Sequence, residues 1–127
     1  MKCLKILCIS LFAVLLMSGC EEQYKGEALK VTLGTSTSYA HVYAELSCDK
    51  DETFEVGVCY SKTSNPSLYS AQMVYQYVKH QSYYSIISAD FYYSEMNLSK
   101  NTTYYMRGYI KNNSGIIYSE QEKYTYK

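Results

Sequence analysis

Between Leu98 and Lys111 the chain alternates with a period of two. Tyr104, Met106, Gly108 and Ile110 fall on one side, and Tyr105, Arg107, Tyr109 and Lys111 on the other. A half-buried strand produces this pattern, because successive side chains of an extended chain point to opposite faces. The alternation recurs in residues 39–47, where Val42, Ala44 and Leu46 read as inward and His41, Tyr43 and Glu45 as outward. Residues 28–33 and 54–61 are extended by the same reading. Residues 67–107 contain neither glycine nor proline. There Val74, Tyr75, Tyr77 and Val78 favour extended structure over helix, and the stretch divides into strands at about 72–78, 83–88 and 91–98, with turns at 80–82 and 89–90. Asn112 to Gly115 is a hairpin signal, after which residues 116–126 pair back as the last strand.

Short strands separated by turn chemistry at this spacing predict an all-β domain, a two-sheet antiparallel β-sandwich of about seven strands over residues 28–127. One corner is specified further. Leu98 closes a strand, SKNTT follows as a polar turn, and Tyr104 opens the next strand. This order matches the tyrosine corner of Greek-key sandwiches, in which a buried ring sends its hydroxyl back to the backbone across the corner. Leu98 and Tyr104 are therefore expected to be structural.

The N-terminus changes the picture from shape to address. Lys2 and Lys5 precede an apolar run too short to span a bilayer as a helix, followed by Met17, Ser18, Gly19 and Cys20. The run reads as a cleaved export signal, and the small residues before Cys20 resemble a bacterial lipobox. That resemblance implies a signal peptide at 1–19, acylation of Cys20, and a lipidated tether at 20–27. Membrane attachment through the N-terminal lipid is then effectively permanent. Glu21 and Glu22 resemble surface-export signals, which implies an outer-membrane lipoprotein exposed outward, the alternative being one facing the periplasm. Removing Lys2 and Lys5 leaves ten basic against twelve acidic side chains. The absence of a basic cluster argues against a nucleic-acid partner.

GVCYS with Asn65 and Pro66 a few residues on, Leu98 with NTTYYMRGYI, and NNSGIIYSE near the end are similar to the fibronectin type III-like domains of lipoproteins from some Gram-negative bacteria. Lys100 stands where that pattern usually has proline. The resemblance covers residues 28–127 and implies an immunoglobulin-like sandwich. It also implies that residues 48–53, the 112–115 hairpin and the N-terminus share one pole. The opposite pole, at 61–67 and 99–103, is then the one presented away from the membrane.

Cys3 and Cys8 leave with the signal and Cys20 carries lipid, so Cys48 and Cys59 are the candidate disulfide pair. Strict alternation puts them on opposite faces, where a bridge needs a bulge. The acidic residues Asp49, Asp51 and Glu52 lack the spacing of a calcium loop.

No catalytic constellation assembles. His41 and His80 lie in no metal motif, carboxylates are scattered, and no nucleophile, phosphate or redox signature is present. The reading is therefore a nonenzymatic protein without metal or cofactor. Seventeen tyrosines accompany three phenylalanines and no tryptophan. Neighbouring pairs at 83/84, 92/93 and 104/105 must divide between faces, so some rings are expected outside the core. Tyrosine supplies rigid contact area at low entropy cost. Tyr105, Arg107 and Tyr109, with Tyr75 or Tyr77 on a neighbouring strand, are the expected contact face for a glycan or a protein partner. The alternative is a structural spacer or accessory subunit of an envelope assembly, with no ligand of its own.

Overall fold

The computed structural model describes residues 28–46, 51–81 and 85–127. The expected signal peptide, the tether with Cys20, and Cys48 lie outside the described residues. Among the described residues eight strands follow in order: β1 Ala28–Thr35, β2 Tyr39–Leu46, β3 Glu52–Ser61, β4 Gln72–His80, β5 Ile86–Tyr92, β6 Thr102–Asn112, β7 Gly115–Tyr118 and β8 Glu122–Tyr126. They form two antiparallel sheets, β1-β2-β5 and β4-β3-β6-β7, with β8 also paired to β6. The fold is an all-β sandwich. Its fourth strand joins β3, whereas in constant-type immunoglobulin domains the fourth strand completes the sheet of the first two.

The two inner faces meet through alternate residues. Val31 and Leu33 of β1, Val42 and Ala44 of β2, and Ile87 and Phe91 of β5 pack against Phe54, Val56 and Val58 of β3 and Met106 and Ile110 of β6. Fully burying aliphatic and aromatic side chains of this size stabilises by roughly 1.5–3 kcal/mol each, and the period-two pattern places them together without long insertions.

Several boundaries differ from the sequence reading. Residues 89–90 are not a turn: one strand, β5, runs through them, and Tyr93–Glu95 form a short 3-10 turn where a second strand was expected. Alternation persists there, with Ala89 and Phe91 inward and Asp90 outward. A carboxylate is tolerated in mid-strand because Asp90 lies opposite His41 in the register and its Oδ1 is 2.5 Å from His41 Nδ1. His80, expected in a turn, ends β4 and is fully buried with its ring edge-on to Phe54. β3 begins at Glu52, two residues earlier than expected, and so pairs with that last residue of β4.

The expected last strand is interrupted between β7 and β8 by Ser119, whose hydroxyl accepts the Gly108 N–H at 2.8 Å while its own N–H donates to the Gly108 carbonyl at 2.8 Å. One serine occupies both backbone groups of Gly108, so the strand bends before pairing resumes.

The register fixes the poles. Ala28 pairs with Leu46, Glu52 with His80, and Asn112 with Gly115, which puts the start of β1, residue 51 and the last hairpin at one end. The 61–71 loop and the 96–101 corner lie at the other, the distal pole.

Candidate binding surface

The outer face of the larger sheet carries every residue expected at the contact surface. β4 lies beside β3, and β3 beside β6, so Tyr75, Gly57 and Tyr109 form one cross-strand row. Tyr77, Glu55 and Lys111 form the next, and Met73, Cys59 and Arg107 the one before. The residues share a face. They do not share an environment.

Tyr109 was expected to be displayed, and it is instead fully buried. Its ring lies across Gly57: a Cβ built there would stand 2.7 Å from the ring and 2.4 Å from the Val74 carbonyl oxygen. The missing side chain of Gly57 leaves a gap in mid-sheet, and the Tyr109 ring fills it. The hydroxyl donates to Glu55 Oε2 at 2.5 Å, and Tyr118 closes the other side with ring centres 6.3 Å apart. Burial, reinforced by the Glu55 carboxylate that accepts this proton, pushes the phenol far above its ordinary range.

Arg107 was also expected to be free for a partner, and its guanidinium is instead engaged within the fold. Nε donates to the Ser119 carbonyl at 3.3 Å and an Nη to the Pro66 carbonyl at 3.2 Å, while the guanidinium lies 4.2 Å from the Tyr118 ring centre. It fastens the 61–71 loop over the outer face. The Tyr118 hydroxyl accepts the Leu68 N–H at 3.1 Å, and Gln121 Oε1 accepts the Asn65 N–H. Asn65 adopts a left-handed backbone (φ 59°), a conformation asparagine tolerates at a turn. Beneath the loop, the Cys59 thiol is free and buried, with its sulfur 3.6 Å from the carbonyl oxygens of Pro66 and Arg107. Desolvation raises the thiol to about 11 although Arg107 opposes the shift.

Tyr105 is half-buried, with the Lys123 ammonium 5.9 Å from its ring centre. On β4, by contrast, Tyr75 and Tyr77 are exposed, 45% and 69%, and meet edge to face at 5.6 Å. Met73 adds a third exposed apolar side chain to that face, and sequence reasoning passed over it, although it stands two residues before Tyr75 in the same alternation. Among the described residues β4 pairs only with β3, and the Gln76 side-chain amide donates to the Asp90 carbonyl at 2.9 Å. That bond ties the edge strand to β5 across the open side of the sandwich.

The corner residues lie on the other face of β6. Tyr104 is buried and its hydroxyl accepts the Ser99 N–H at 2.7 Å, while Leu98 packs partly buried against the core. Asn101 takes a left-handed φ of 58° in place of the proline-bearing corner and donates its N–H to the Tyr126 carbonyl. Two other tyrosines act in the same way without any sequence signal. The Tyr60 hydroxyl accepts the Asn97 N–H at 3.0 Å, and the Tyr93 hydroxyl donates to the Ser36 carbonyl at 3.1 Å. Much of the tyrosine excess is thus explained: the rings fill space and the hydroxyls hold loops.

Among the described residues, no three His, Cys, Asp or Glu side chains converge to hold a metal ion. No protein-family model matches the chain. No curated protein matches it either. Among solved structures, the third fibronectin III domain of human KIAA0343 protein is similar at 10% identity and a TM-score of 0.35, over 87% of this chain and 92% of that domain.

Proposed function

We propose that this chain is a noncatalytic, lipid-anchored module of a bacterial cell envelope that captures a protein or glycan partner through the outer face of β4. The observation that carries this reading is the row of exposed Met73, Tyr75 and Tyr77 on a sheet edge. Contiguous aromatic and thioether groups in water are the residue types enriched in binding surfaces. Anchoring through Cys20 rests on the lipobox resemblance, and outward exposure on Glu21 and Glu22 following it. A second reading, a spacer without a ligand, is favoured by the use of Arg107 and Tyr109 inside the fold.

Capture of neighbours by cross-linking on intact cells tests the proposal. Tyr75→Ala combined with Tyr77→Ala is expected to abolish capture while the domain stays folded, and Cys20→Ser to leave an unprocessed precursor without acyl label. Unchanged capture by the folded double variant would refute the β4 surface. Acylation of the Cys20→Ser protein would refute the anchor.

A further inference from the structure

The distal pole holds a cleft of about 670 Å³, lined by Tyr60, Lys62, Tyr69, Gln72, Asn97 and Tyr104 together with small residues of the two adjoining segments. We propose that it binds a saccharide bearing a carboxylate, a uronic acid, at a site separate from the outer face of β4.

Three observations point to that chemistry. The first is an imbalance of donors. Tyr60 and Tyr104 are only 4% and 5% exposed, and each hydroxyl accepts one backbone N–H, from Asn97 and Ser99. A phenol also carries a proton to donate, and neither hydroxyl gives its proton to any other described residue. Both hydroxyls line the open cleft, so each can turn its proton towards a bound acceptor. The second is charge. Lys62 lines the cleft, no carboxylate does, and the ion pair among the described residues lies elsewhere, between His41 and Asp90. An anionic acceptor is therefore favoured over a neutral or cationic one. The third is Tyr69. It stands at the cleft 94% exposed, in a loop whose backbone is fixed on either side by Pro66, Leu68 and Ser70. A rigidly based, solvated ring is a stacking platform for the apolar face of a pyranose. The Gln72 and Asn97 amides supply further donors and acceptors for ring hydroxyls. A small anion alone would use Lys62 and leave Tyr69 without a role.

The test is calorimetric titration of the purified full-length chain with a galacturonic acid trisaccharide, its carboxyl-reduced neutral counterpart, and acetate. The acidic trisaccharide is expected to bind saturably, and loss of a charge-assisted contact should make the neutral one about tenfold weaker. Lys62→Gln should bring the acidic sugar to the affinity of the neutral one. Tyr69→Ala should weaken it by about tenfold, the scale of one lost stacking contact. Both side chains are exposed, so the variants should keep the circular dichroism of the parent. Absence of saturable binding, equal affinity for the acidic and neutral sugars, or acetate binding as tightly as the trisaccharide would each overturn the proposal. The Tyr75→Ala, Tyr77→Ala variant should bind the trisaccharide as the parent does. Loss of binding there would move the sugar to β4 and also overturn the proposal.

Discussion

Tyr75 and Tyr109 sit in one cross-strand row, on one face of one sheet, with Gly57 between them, yet one is open to water and the other is sealed. The difference lies in what covers each strand. β6 is flanked by β3, β7 and β8 and overlain at Arg107 by the 61–71 loop, whereas β4 is an edge. Residue type and alternation are the same in both places. Whether an outward aromatic is structure or surface is decided by a glycine on one neighbour and a loop returning over the other.

The largest effect should come from removing the space that seals Tyr109. Gly57→Ala sets a Cβ against both the Val74 carbonyl and the Tyr109 ring, and overpacking of this kind should destabilise by about 3 kcal/mol. The expected result is a lowered denaturant midpoint together with an exposed Tyr109. Arg107→Met keeps the stem and removes the bonds to Pro66 and Ser119. It should cost about 2 kcal/mol, as charged hydrogen bonds do, and release the 61–71 loop to protease. Tyr75→Ala at the same face should leave stability within about 0.5 kcal/mol.

The comparison also shows what could be read in advance. The period-two pattern was enough for the sandwich, because burial of alternate residues decides register. The order Leu98, SKNTT, Tyr104 placed Tyr104 at the corner, where the ring is buried and the hydroxyl meets Ser99. The period-two pattern could not tell Tyr109 from Tyr75, since both are outward by alternation. Gly57 was the overlooked signal: a glycine in mid-strand often marks close approach by another group. Asp90 misled in the opposite sense, looking like a turn until its partner His41 was in place across the pair. Pairing between distant strands is not written in local composition.

A further test contrasts the two faces of β6. Tyr104→Phe leaves the Ser99 N–H without its acceptor and should cost about 1–3 kcal/mol. Tyr105→Phe should cost little, because that ring is half-buried and its contact is the loose approach of Lys123.

The same burial predicts a response to alkali. Burial raises Cys59 from 9.0 to about 11 and Tyr93 from 10.0 to about 12, the latter with Tyr124 adding, and it raises Tyr109 further. The folded chain therefore holds protons that the unfolded chain has lost, and stability must fall as pH rises through that interval. These contributions are intact below pH 9.0 and lost progressively from there to about pH 12. Denaturant midpoints measured against pH should decline over that range, and less steeply in Tyr93→Phe.

Nitration of the folded protein, with each tyrosine followed by mass spectrometry, tests most directly whether outward rings divide into sealed and presented ones. Tyr69 and Tyr77 should react first and Tyr75 next, with Tyr109 protected until the chain is denatured. Nitration of Tyr109 at the rate of Tyr77 in the folded protein would contradict the account.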